Sequence, residues 1–357
     1  MTTPTSALLL PKAKDFLRFG PHNGAHRPAI RAAVAVVVPL AVLCLIGRPE
    51  WGPYAVFGSM LSVYGRGIAR HARLRMQAET GLGLVLCVVL GVALAALGAA
   101  PVVNILATAM IAAVASAVAD RRRWQPGGPI FFVFGFAVCA WMPATASTIG
   151  IAAICAGVSA LFALAVGYVG LALPAARRQA RAAKAAPQHP AAAGPSPAMI
   201  ALHAGLCGVA AALAGLTSYA LGLGFSYWAM VAAVVPVVGG STAAQLLRAG
   251  HRVIGTMLGL VIAAGLLFLP LNLVGIVVVI GLLQIGAELT VARNYSAALL
   301  FITPLALMMM HLTRPLPVGE VLRDRAIDTI IGVLVTALLL LATHRLRKRL
   351  RAAAAAG

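Results

Sequence analysis

Residues 226–259 read SYWAMVAAVVPVVGGSTAAQLLRAGHRVIGTMLG, and this stretch decides the fold. It opens on an aromatic pair, Tyr227–Trp228, runs apolar as far as Pro236 and breaks at Gly239–Gly240. A basic turn with Arg248, His251 and Arg252 is expected next, and a second apolar run opens at Val253. On helical spacing, Arg252, Gly255, Thr256 and Gly259 place a charge, a hydroxyl and two bare-backbone positions on one face. Lipid cannot solvate that charge. A membrane helix carrying it turns the face toward other helices or a water-filled path.

The rest of the chain is of the same kind. Of 357 residues, 61% are hydrophobic and only 10% charged, with a mean hydropathy of +0.96. Soluble globular chains carry about one quarter charged residues, and apolar runs of roughly 17–25 residues are the signal of membrane helices. The expected spans are 28–46, a short helix ending near Tyr64, 76–97, one from Pro101 to Asp120, 129–142 and 149–173. Six more follow at 199–217, 227–240, 253–269, 271–289, 296–311 and 321–343. The sequence thus predicts an all-α polytopic membrane protein of about twelve transmembrane helices. Its membrane repeats would be 28–174 and 199–344, with an N-terminal segment 1–27, a basic Ala/Pro-rich linker 175–198 and a basic tail 345–357. Leu8–Leu10 is too short for the apolar core of a secretory leader, so none is expected.

The net charge of +20 would suggest nucleic acid in a soluble chain. Here the positive-inside rule accounts for it, and no nucleic-acid partner is expected. With the N-terminus in the cytoplasm of a bacterial inner membrane, 24 of the 28 Lys and Arg fall inside. Only Arg48, Arg314, Arg323 and Arg325 fall outside, and both termini are then cytoplasmic. Trp51 precedes Arg75 by 24 residues, and Trp228 precedes Arg252 by the same 24. Six spans per half is an even number, so the two repeats are expected to be parallel.

The five cysteines, Cys44, Cys87, Cys139, Cys155 and Cys207, lie in apolar runs without a CxxC pair, and no histidine belongs to an HExxH motif. They read as packing residues, as does Met308–Met310 beside His311. The sequence predicts no metal site, no cofactor and no catalytic residue.

Charges inside apolar spans cost roughly 2.5–3.5 kcal/mol each at a helix centre, so the few acids can be weighed singly. Glu79 stands one turn after Arg75 and suits a structural ion pair. Asp120 abuts Arg121–Arg123 and is expected to pair with them. Gly281, Gln284 and Glu288 share one face, and Glu288 either faces a path or pairs with Arg293. Asp324 suits a helix start, whereas Asp328 lies deeper. Pro236, Gly239 and Gly240 interrupt one helix, and Gly58 and Gly65 loosen its counterpart. Such breaks point to a central site.

Several stretches together resemble the fusaric acid resistance / aromatic acid exporter family of integral membrane transporters. They are HRVIGTMLG (251–259) with the preceding Tyr–Trp and broken helix, ARNYSAALLFITPLALM (292–308) and RAIDTIIG (325–332). They span most of 199–344. The resemblance implies proton-coupled efflux of aromatic or other organic acids. On it, Arg252 and Arg293 would attract a carboxylate, Thr256 and Asn294 would hydrogen-bond it, and Tyr295, Tyr227 or Trp228 would stack on a ring. Glu288 or Asp328 would carry the proton. The partners would be the lipid bilayer, a small organic anion and protons; a homo-oligomer is compatible with this. Larger relatives carry a cytoplasmic domain where this chain has only 175–198. No Walker motif is present, so ATP drive is not expected. Two alternatives stay open. One is a passive organic-anion channel, since plant aluminium-activated malate channels are distantly similar; the other is a membrane scaffold without transport.

Overall fold

The computed structural model describes residues 13–21, 24–172, 194–239, 241–313 and 317–356. Gly240, Arg314, residues 1–12 and the linker's Arg177, Arg178, Arg181 and Lys184 lie outside the described residues. The first half comprises α1 (His26–Leu45), α2 (Gly52–Ser59, continued as a 3-10 turn, Met60–Val63), α3 (Arg70–Ala96), α4 (Pro101–Arg122), α5 (Ile130–Ala140) and α6 (Ala146–Ala172). The second half comprises α7 (Pro197–Ala220), α8 (Tyr227–Val237), α9 (Thr242–Leu267), α10 (Leu273–Thr290), α11 (Tyr295–Thr313) and α12 (Val318–Ala342), followed by a tail helix α13 (His344–Ala356). Among the described residues, nine helices are long and apolar enough to cross a membrane, while α2, α5 and α8 are shorter. Rows of apolar side chains one turn apart, Val34, Val38 and Val42 on α1 and Leu82, Leu86 and Leu90 on α3, are exposed. Exposed apolar stripes of this kind belong against lipid. The chain is an all-helical, polytopic membrane protein.

The helix boundaries follow the local chemistry. Ser196, Ser241 and Asn272 cap α7, α9 and α10 by accepting from Met199, Ala244 and Gly275 N–H. α8 stops just after Pro236, which has no N–H to continue the ladder. One expectation fails here. Arg248, His251 and Arg252 do not form a turn, because α9 begins at Thr242 and carries all three within it. The first turns of α9 bury the polar Thr242 and Gln245 beside Ala249 and expose Arg248. An apolar window therefore misses them.

In each half the third helix packs on the fifth and the second on the sixth: α3 on α5, α2 on α6, α9 on α11, α8 on α12. The halves join where α1 meets α10 and α4 meets α7. Glycines set the closest crossings. A Cβ on Gly255 or Gly259 would fall 2.5 Å from the carbonyls of Ser296 or Leu299 on α11. On Gly332 it would fall 2.3 Å from that of Ala229 on α8. Gly255 and Gly259 thus serve helix–helix contact, as small residues do in membranes. Arg75 and Arg252 do not share surroundings despite their matched spacing. The Arg75 side chain is 73% exposed and Arg252 only 2%.

Candidate functional site

A cavity of about 830 Å³ lies between the halves. It is walled by α2, α5, α8 and α11, with Arg248 and Arg252 of α9, Gln284, Ala287 and Glu288 of α10, and Arg325 of α12. α11 lines it from Tyr295 to Thr313, a rise of roughly 28 Å and close to the thickness of a bilayer core. Its walls are aromatic. Phe134 lies 5.1 Å from Trp228, Tyr227 lies 4.8 Å from Trp228, and Trp141 lies 5.9 Å from Tyr227, centroid to centroid.

Four guanidiniums, Arg66, Arg248, Arg252 and Arg325, and two carboxylates, Glu50 and Glu288, line this space. Both carboxylates are already paired. Glu50 lies 3.5 Å from Arg48 at the Trp51 end. At the other end Glu288 forms an ion pair with Arg66. It also accepts from Gln284 Nε2 at 3.2 Å, and Arg66 Nη1 donates to its backbone carbonyl. Glu288 therefore faces the cavity, and its partner is Arg66 from the first half, not Arg293. The pair ties the halves together at this end.

The remaining charge is positive. Arg252 donates one bond, Nη1 to Tyr295 Oη at 3.0 Å, and its Nε and Nη2 are buried without a partner. Arg325 is 1% exposed, its guanidinium carbon sits 3.7 Å above the Trp228 ring, and its Nε and Nη1 are unpartnered. Arg325 was expected among the outer charges, at the start of the last span. Instead it stands two turns into α12, facing the cavity, and sequence reasoning missed it as a site residue. The signal was present, since Asp328 and Thr329 lie within the next turn. Neither Asp328 oxygen makes a hydrogen bond, and Ser218 and Arg325 lie nearby. Thr256, one turn beyond Arg252, is fully buried with its hydroxyl unpartnered.

Other expected site residues lie elsewhere. Arg293 Nε donates to the Gly20 carbonyl at 3.1 Å and the guanidinium covers Phe19. Asn294 Nδ2 donates to the carbonyls of Phe16 and Arg18, while its Oδ1 caps Ala297. Both hold the N-terminal segment, and neither lines the cavity. Asp120 does not pair with Arg121–Arg123; His203 Nδ1 lies 3.0 Å away and takes that place. Glu79 does pair with Arg75, at 2.9 Å, and also meets Arg122 and the Trp124 indole. The break around Pro236 and Gly239 is secured rather than open. Gln245 donates to the Val237 carbonyl, Arg347 of α13 bonds Gln245, and Thr336 donates to the Ala233 carbonyl. Neighbouring helices thus satisfy backbone groups near the break. No group of three or more potential metal ligands occurs among the described residues.

A bundle of apolar helices around a charged, aromatic cavity defines a multi-pass integral membrane protein. Residues 210–339, all in the second half of the chain, match the family described as fusaric acid resistance protein-like. A curated relative, an uncharacterized membrane protein named YvaC of Bacillus subtilis (strain 168), is 34% identical over 128 residues, 34% of this chain and 20% of that protein. The chain matches about a fifth of the length of that relative. No solved structure matches.

Proposed function

We propose that this chain is a transporter that exports aromatic or other small organic acids across the bacterial inner membrane, with coupling to protons. The observation that carries the proposal is the cavity itself: aromatic walls, paired carboxylates, and two buried guanidiniums with N–H groups to spare. An aromatic anion matches both features, ring against ring and carboxylate against guanidinium. Arg252 and Tyr295 belong to its binding surface, with Trp228 as the stacking ring. Glu288, held by Arg66, closes the end that the charge distribution puts in the cytoplasm. Asp328, buried and without a hydrogen bond, is the better proton carrier. A passive channel would need a continuous open pore, and the Arg66–Glu288 pair across one end favours alternating access instead. The test is counterflow of radiolabelled 4-hydroxybenzoate in proteoliposomes at alkaline pH, where the carboxyl is ionised. Saturable exchange that 4-hydroxybenzamide does not inhibit is expected. Exchange no faster than in protein-free vesicles would overturn the proposal, and steady voltage-driven current would favour the channel.

A further inference from the structure

Arg252, Thr256 and Gly259 on α9 stand in the same spacing as Arg325, Thr329 and Gly332 on α12. The correspondence extends to packing. Gly259 seats α9 against the Leu299 carbonyl of α11, and Gly332 seats α12 against the Ala229 carbonyl of α8. Each motif thus fixes its helix against a cavity wall and carries its arginine to the cavity lining. α9 and α12 are three helices apart in the chain and run in opposite senses. The two motifs therefore approach the cavity from opposite ends, in the manner of inverted repeats around a transport site.

The two guanidiniums act on each other electrostatically. Among the described residues, neither has a carboxylate oxygen within 4.0 Å. Two buried like charges without hydrogen-bonded counter-ions are costly to keep. Asp328, the acid that acts on Arg325 from beyond that distance, offsets one of the two charges. One positive charge is left over, with unpartnered N–H groups on both arginines.

Resting on the transporter reading, we infer that Arg252 and Arg325 together bind the single carboxylate of an aromatic monoanion, with Trp228 placed for its ring. Arg325 is the specificity-determining half of this pair. Its planar fork matches a carboxylate in two bonds, which a lysine cannot reproduce.

Equilibrium binding of radiolabelled 4-hydroxybenzoate to the full chain in detergent tests this, with 4-hydroxybenzamide as the neutral competitor. The wild type is expected to bind the acid and to ignore the amide. Arg325→Gln alone strands Asp328 without its cation and risks misfolding. The paired change Arg325→Gln with Asp328→Asn keeps the charge balance. It is expected to stay monodisperse and to lose affinity by roughly thirtyfold or more. Arg325→Lys is expected to weaken binding while leaving thermal stability unchanged. A monodisperse paired variant that binds like the wild type would overturn the inference and leave the transporter reading standing. A wild type that neither binds nor exchanges the acid would remove both.

Discussion

Arg75 and Arg252 each stand 24 residues after a tryptophan, yet the protein uses them in opposite ways. Arg75 lies at an exposed rim, 2.9 Å from Glu79, with Arg122 and Trp124 adding to the same carboxylate. Exposed pairs of this kind contribute about 0–1 kcal/mol. Arg252 is buried, has one hydroxyl partner and two idle nitrogens, and shares its cavity with a second guanidinium in the same condition. A charge satisfied at the surface explains itself by topology and solubility. A buried charge left short of partners needs another reason, and a bound anion supplies one. The contrast teaches that equal spacing in the sequence does not imply equal roles. Burial and partner count separate the two arginines.

The largest expected effect is at Asp328, on the buried side of the contrast. Asp328→Asn is expected to abolish accumulation of 4-hydroxybenzoate driven by an imposed pH gradient in proteoliposomes, while equilibrium binding persists. Unchanged gradient-driven accumulation would take this residue out of the coupling step. Next comes the tie between the halves. Glu288→Gln leaves Arg66 without its counter-charge in a half-buried position. It is expected to cost about 2–3 kcal/mol in thermal unfolding, and the charge swap Arg66→Glu with Glu288→Arg is expected to recover part of the loss. A smaller loss is expected at the α12 crossing. Gly332→Val would press against the Ala229 carbonyl and cost about 1–3 kcal/mol. Gly205→Val on α7, with nothing within 4 Å of its added Cβ, is the matched control for stability. The smallest effect belongs to the rim. Arg75→Ala is expected to shift stability by no more than about 1 kcal/mol and to leave exchange at the wild-type rate. A loss of exchange in that variant would erase the distinction between the two arginines.

Much of the helical architecture was legible because lipid demands long apolar runs, and these stand out in a chain with so few charges. Trp228 and Arg252 could be found for the same reason, as an aromatic and a cation inside or beside such runs. Arg325 was not found. A charge at the start of a span reads as an outer topology charge when only hydropathy and charge asymmetry are counted. Its burial depends on α12 beginning at Val318 and on Trp228 from another helix lying beneath it. Arg293 and Asn294 were assigned to the site for their chemistry, a guanidinium and an amide that suit a carboxylate. Sequence proximity could not reveal that the loop after α10 faces residues 16–20 instead of the cavity. Arg66, the partner of Glu288, is 222 residues away in the chain, and no local pattern links the two. Helical periodicity brought Gln284 and Glu288 onto one face, which is where the structure has them. Long-range pairing across the halves is the part that sequence periodicity does not encode.

On the proposed function, an aromatic acid crosses through the cavity between the halves, past Phe134 and Trp228. The most direct measurement uses Phe134→Cys in a variant whose five native cysteines are replaced by alanine, reconstituted in proteoliposomes. Modification by a bulky thiol reagent is predicted to stop 4-hydroxybenzoate exchange, and the acid is predicted to slow the modification. Full modification of Cys at that position with exchange at the unmodified rate would contradict the claim.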